Sequence, residues 1–284
     1  MYIVSGATGH TGSAVAKTLL EKNLPVRVIV RSAEKGAALA ALGAEVAIAD
    51  LHDAQALTEA LQGGQVLYLM NPPAYQAEDQ FAELDKLIEA FQTAIENSAL
   101  EKIVVLSSIG SQLASGTGNI LTTYKLEQAL RDSEIPVTFI RAGSFMENWN
   151  AVLETAKTQG VLPSFFQPLD RKVPQVAAAD IGRVAAEAMQ EKTASREIKE
   201  LAGFWTSPDD TAEAIGKVLG REIKAVPVPE EQWVDILKHH NSPKNAASLA
   251  EMFKGFNSEH IKFETEDQIA GRITLEDYAR EALK

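Results

Sequence analysis

Residues 1–32 read MYIVSGATGHTGSAVAKTLLEKNLPVRVIVRS. A short apolar run suited to a β-strand (Tyr2–Ser5) is followed by glycines at three-residue intervals, Gly6, Gly9 and Gly12, and then by a stretch with helical periodicity. Strand, glycine-rich turn and helix in that order form the arrangement that cradles a pyrophosphate. One glycine permits the tight turn, one lets the backbone approach phosphate, and one lets the helix pack on the strand. Free amides and the positive end of the helix then face the anion. The loop residues Gly6, Ala7, Thr8, Gly9, His10, Thr11 and Gly12 are therefore candidate dinucleotide contacts, the alternative being a plain strand-to-helix turn.

Further apolar runs of strand length, rich in β-branched residues, occur at Val26–Val30, Val46–Ala49, Val66–Met70, Ile103–Ser107 and Val137–Arg141. Helical periodicity lies between them at Ser13–Glu21, Ala33–Leu42, Asp53–Leu61, Asp79–Asn97 and Thr123–Ser133. Strands alternating with helices predict an α/β fold, a doubly wound parallel sheet of the Rossmann type covered on both faces. After Gly143 the pattern loosens. Ala179–Gln190 reads as a helix, Glu197–Ala202 as one more strand, Asp209–Leu219 and Glu230–His239 as helices, and the intervening IKAVPVP as an edge strand. The expected organisation is a dinucleotide-binding domain over 1–143, completed by about 179–203, with a smaller discontinuous C-terminal α/β lobe from 144–178 and 204–284.

Of the 284 residues, 45% are hydrophobic and 23% charged, which suffices for a sizeable core. The net charge of −12, with no run of basic residues, argues against direct nucleic-acid binding. No run of apolar residues has membrane-spanning length, and no signal peptide is read at the N-terminus. There are no cysteines, hence no disulfides, thiolate metal sites or cysteine nucleophiles, and a cytoplasmic location is expected.

Choice of dinucleotide follows from the end of the second strand. An NAD site places a carboxylate there for the ribose 2′-hydroxyl. This chain has Arg31, with Lys35 one turn on, a fork of donors and a point charge suited to a 2′-phosphate. NADP(H) is the expected cofactor, the alternative for Arg31 being a solvated strand end. Asp50 and Leu51, after the third strand, are placed to flank an adenine, although Asp50 can equally cap a helix. Met70 and Asn71 close the fourth strand at the mouth where open sheets bind cofactor.

The segments IVSGATGHTG, VRVIVRS, MNPP, VVLSSIG, YKLEQAL and VTFIRAGSFMENW, with the later VPQVAAADIGRVAAEAM and KELAG, occur in an order that resembles the NmrA-like branch of the atypical short-chain dehydrogenases. The resemblance implies a doubly wound sheet with a small C-terminal lobe and NADP(H) as ligand. It extends the candidate cofactor contacts to Ser107, Lys125 and Gly143, and places nicotinamide and substrate near Phe145, Asn148 and Trp149. Members of this branch include NADPH-dependent quinone oxidoreductases and redox sensors that bind the dinucleotide without using it.

Ordinary short-chain dehydrogenases use a serine and a Tyr-x-x-x-Lys pair on one helix face, where the cation lowers the phenol pKa for proton transfer. Here Tyr124 is followed four places later by Gln128, and Lys125 is its neighbour, about 100° around the helix. Tyr124 and Lys125 are thus weak catalytic candidates. Packing is the alternative for the tyrosine, and a surface pair with Glu127 or Glu101 for the lysine. A quinone needs less, because hydride delivery to an electron-poor ring gives a resonance-stabilised anion that water can protonate. Phe145, Trp149, Phe165 and Phe166 can supply an aromatic wall or, equally, a core. No histidine set has metal-ligand spacing, and no hydrolase elbow is present.

The resulting expectation is an NADPH-dependent oxidoreductase acting on a quinone or similar small electrophile. The alternative is an NADP(H)-binding redox sensor with a protein partner. A nucleotide-sugar epimerase ranks lower for want of the tyrosine relay. A homo-oligomer is left open.

Overall fold

A computed structural model describes residues 1–284. The chain runs β1 (Tyr2–Val4), α1 (His10–Glu21), β2 (Val26–Val30), α2 (Ala33–Ala40), β3 (Glu45–Ile48), α3 (Ala54–Leu61), β4 (Val66–Leu69), α4 (Gln80–Glu96), β5 (Lys102–Ser108), α5 (Leu121–Ala129) and β6 (Val137–Ala142). It continues through β7 (Ser144–Phe145), α6 (Leu153–Gln159), β8 (Val161–Ser164), β9 (Val173–Val176), α7 (Ala178–Gln190), β10 (Arg196–Thr206), α8 (Pro208–Leu219), β11 (Lys224–Pro227), α9 (Trp233–Leu237), α10 (Pro243–Asn257), β12 (Ile269–Ala270) and α11 (Leu275–Ala282).

Strands β3-β2-β1-β4-β5-β6-β10 lie side by side and parallel, so the order reverses between β1 and β4. A doubly wound Rossmann sheet is what the strand–helix alternation predicts, and a crevice opens at such a reversal, beyond the carboxyl ends of the strands. Successive strand residues face opposite sides. Val4 and Tyr68 join α1 and α7 in one core, whereas Ile3, Leu67 and Leu69 join α3 and α4 in another. Helices α1 and α7 approach closely because α7 carries Gly182: a β-carbon there would stand 2.4 Å from the Ala14 β-carbon.

A third core, containing Met146, Trp149, Leu162, Phe166, Ile215, Phe256 and Tyr278, belongs to the smaller C-terminal lobe. There β8 and β11 pair in parallel. Strand β10 serves both parts. Its first half pairs in parallel with β6 and its last residues pair antiparallel with β9. At the change of partner Gly203 has φ +70°, and a β-carbon on it would lie 2.2 Å from the Gln175 carbonyl oxygen.

Several element bounds differ from the sequence reading. Strand β10 runs on past Ala202 through that glycine, which reads in sequence as a strand end. Asp53 and Asp79 cap their helices instead of beginning them, each accepting two backbone N–H bonds. The expected helix over Glu230–His239 is a 3₁₀ turn at Glu230–Gln232 followed by α9. Helices α6, α10 and α11 and strands β7, β8, β9 and β12 have no counterpart in the sequence reading. No helix is long and apolar enough to cross a membrane.

Candidate functional site

The reversal point between β1 and β4 holds a cavity of about 490 Å³, within the range of small-molecule sites. Its floor is the glycine turn. Gly6 has φ +61°, a conformation that side chains resist, and a β-carbon there would strike the Met70 side chain at 2.6 Å. Gly12 packs its α-carbon on the turn, where a β-carbon would lie 2.3 Å from the Gly6 carbonyl oxygen. Gly9 differs. A β-carbon on it would meet only that same oxygen, at 3.4 Å, and would otherwise stand in open space beside the cavity.

Helix α1 begins here without a cap. Its N-cap is Gly9, no side chain bonds its first amides, and its first turn has no acid. The amides of His10, Thr11 and Gly12 find no acceptor within the chain. Five other helices, α3, α4, α8, α10 and α11, are capped by the side chains of Asp53, Asp79, Ser207, Ser242 and Thr274. What sets α1 apart from the remaining uncapped ones is that its N-cap glycine lines the cavity. An uncapped helix end over a cavity whose glycine leaves room for atoms is a fit for a diphosphate.

Of the residues singled out from sequence, Gly6, Thr8, Gly9, Arg31, Asp50, Leu51, Met70 and Asn71 line this one cavity. Ala7 and Thr11 are buried beneath the turn. Arg31 and Lys35 are exposed, and neither makes an ion pair or side-chain hydrogen bond. Lys35 stands outside the lining. The Asp50 carboxylate accepts from the His52 backbone N–H (2.9 Å) and faces His52 Nδ1 (3.0 Å). Those bonds, the backbone one foremost, hold its pKa below the ordinary carboxylate value, with a smaller contribution from the Arg31 charge. Pro72 and Pro73, which follow Asn71 at the strand mouth, line it as well, and sequence reasoning missed the rest of the lining. Ile29, Val30 and Ala49 at the ends of β2 and β3, and Leu84 and Leu87 on α4, give an apolar wall, and His52 and Glu83 lie at its polar margin. The alternation of α4 places Leu84 and Leu87 on one face, a readable signal of burial but not of a cavity.

The remaining candidates lie elsewhere. Ser107 is buried, and its hydroxyl donates to Glu127 Oε1 at 2.5 Å. Glu127 in turn takes a two-pronged pair from Arg141, Nε at 2.9 Å and Nη2 at 2.7 Å, and Arg141 also meets Glu264. Lys125 is a surface lysine paired with Asp85 at 2.6 Å, not with Glu127 or Glu101, and it sits 5.9 Å from the Phe81 ring centroid. Tyr124 is half-buried and makes no hydrogen bond. Gly143 is required by packing, since a β-carbon there would lie 2.7 Å from the Pro174 carbonyl oxygen. Phe145 packs against the core under α1, and Asn148 is exposed. Trp149 is 6% exposed and donates its indole N–H to Gln175 Oε1 at 2.6 Å, so its ring belongs to the core of the second lobe. Phe166 lies in that core and Phe165 stacks on Phe253. The histidines and acids form no metal-holding group.

The sequence pattern of the NmrA-like family matches residues 2–278. Quinone oxidoreductase 2 of Escherichia coli (strain K12) is 30% identical over 254 residues, which cover 88% of this chain and 85% of that protein. NAD(P)H azoreductase of Xenophilus azovorans is 28% identical over 249 residues, covering 87% and 84%. The crystal structure of the NADPH-dependent quinone oxidoreductase QOR2 of E. coli complexed with NADPH superimposes over 100% of both chains, with a TM-score of 0.75 and 25% identity. The fold is that of NAD(P)H-dependent oxidoreductases.

Proposed function

The chain belongs to the NmrA-like family, and from that premise we propose that it is an NADPH-dependent oxidoreductase passing hydride to a quinone or comparable small electrophilic acceptor. The observation that carries this reading is the cavity in which the uncapped start of α1, the open flank of Gly9 and the unpaired Arg31 meet. The amides of His10, Thr11 and Gly12 take the diphosphate, the Arg31 guanidinium takes the 2′-phosphate with Lys35 adding charge, and Ile29, Ala49, Leu84 and Leu87 enclose the adenine. The relatives' names, a quinone oxidoreductase and an azoreductase, support an acceptor that is an electron-poor π system.

When bound, the cofactor supplies the hydride. What the chain withholds is a proton relay. The Ser107 proton is engaged by Glu127, Lys125 by Asp85, and Tyr124 has no lysine four residues on. An alkoxide formed from a ketone would lack a donor here, whereas a hydroquinone anion takes its proton from water. Purified protein mixed with NADPH and a panel of quinones, followed at the reduced-nicotinamide absorbance, tests the reading. Acceptor-dependent oxidation above a no-enzyme control is expected. NADPH binding with no turnover on any acceptor would instead favour a redox sensor.

A further inference from the structure

We propose that Asn245, on α10 of the second lobe, is a positioning residue for the dinucleotide cavity; the inference rests on reading that cavity as the NADPH site. The stretch after β4 turns out of the sheet as Asn71-Pro72-Pro73-Ala74 and forms one wall of the cavity. Two prolines deprive it of amide donors, so it cannot secure itself by pairing with a neighbouring strand. Its last carbonyl, that of Ala74, and the carbonyls that follow it are held from the other lobe. Asn245 is 2% exposed, and its Nδ2 lies 2.8 Å from the Ala74 carbonyl oxygen, 3.0 Å from that of Tyr75 and 3.4 Å from that of Ala77.

Three carbonyls around one nitrogen fix which end of the amide faces them. Oδ1 has no partner, so this side chain holds the wall by donation alone. The Ser242 amide adds a bond to the Tyr75 carbonyl at 2.9 Å. From the loop side, Gln76 Nε2 reaches the His240 carbonyl at 2.8 Å, and Gln80, itself in the lining, reaches Ser248 Oγ at 3.2 Å. The start of α10 is thus a clamp on a wall of a cavity built by the other lobe. The clamp holds the loop in the shape that forms the cavity wall, so it favours the ligand, and by linkage the ligand strengthens the clamp by the same factor.

Asn245→Asp keeps the shape and replaces the donor with an acceptor facing carbonyls. The expected result is a rise of about tenfold in the NADPH Kd measured by calorimetry. Amide hydrogen exchange over residues 74–77 should be faster, and KM for NADPH should rise while kcat with a naphthoquinone acceptor holds. A merely structural loss would lower the active fraction, hence apparent kcat, and leave KM and Kd unmoved. Gln76→Ala removes an exposed contact and spares the fold should Asn245→Asp fail to express; a rise of about threefold in Kd is expected from it. In the wild type, saturating NADPH should slow exchange over 74–77 and 242–246 together. NADPH binding by the wild type with unchanged Kd and exchange in both variants would overturn the clamp. Failure of the wild type to bind NADPH at all would instead remove the cofactor reading.

Discussion

Gly9 and Gly12, three residues apart in one motif, are expected to fail in opposite ways when each is replaced by alanine. At Gly12 the new methyl would stand 2.3 Å from the Gly6 carbonyl oxygen, 2.6 Å from its carbon and 3.0 Å from the Ala7 nitrogen. All three are backbone atoms, which have no rotamer by which to yield. Overpacking of this kind costs about 1–3 kcal/mol, a fall of roughly 2–5 °C in Tm for a chain of this size. At Gly9 the backbone is ordinary extended chain, φ −89° and ψ 171°, and the methyl meets a single oxygen at van der Waals distance. The fold should not suffer, and it gains up to about 1 kcal/mol from the restricted unfolded chain. That methyl nevertheless stands at the wall where the diphosphate must approach the amides. Losing one amide bond to a charged group costs about 1.5–3 kcal/mol, or about 10- to 150-fold in Kd. Differential scanning fluorimetry and calorimetric titration with NADPH on both variants separate the two effects. A Gly9→Ala protein that binds NADPH as the wild type does, or a Gly12→Ala protein that melts unchanged, would refute the division of roles.

Arg31→Asp should weaken NADPH by about 10- to 100-fold while changing NADH little, so the ratio of the two affinities narrows; an unchanged ratio removes Arg31 from the 2′-phosphate. Glu127→Gln leaves the buried Arg141 with only Glu264 and should cost about 3 kcal/mol in urea unfolding, whereas a loss typical of a surface pair would mean the charge is relieved elsewhere. Burial pushes the Asp210 carboxyl up, but the Lys172 ammonium and the Ser207 donors outweigh it and hold the group below the ordinary carboxylate value. Because the folded pKa is the lower one, the unfolded chain takes the proton first. Asp210 therefore contributes stability above about pH 4 that is lost as pH falls through its folded pKa. Asp210→Asn should flatten the acid limb of a stability–pH curve, and a parallel curve would count against the linkage.

The body of the fold was legible because its signals are local. The glycine turn, the short strands buried on both faces and the intervening amphipathic helices each fix one crossover of the sheet. Errors gather where distant contacts decide. Gly203 reads as the end of a strand, yet it allows β10 to change partners and continue. Helix α10 is announced by Ser242 at its cap and Pro243 in its first turn, and α11 by the Thr274 and Asp277 capping box, but each rests on small or polar residues whose burial only the assembled lobe reveals. At the site, sequence pointed to the glycines and Arg31, and the cavity includes Gly6, Gly9 and Arg31, with Gly12 packed behind the turn. The companions of Ser107 and Lys125 were out of reach: Glu127, with the Arg141 and Glu264 that hold it, and Asp85 are brought to them only by the fold, and no local pattern announces a long-range pair.

Strand β10 also limits how the molecule can move. One continuous backbone is hydrogen-bonded to β6 at its start and to β9 at its end, so swinging the lobes apart would tear a ladder instead of bending a linker. Under the proposed reaction, an acceptor would then enter by displacing side chains and short loops, with the β10 ladder to β6 and β9 left intact.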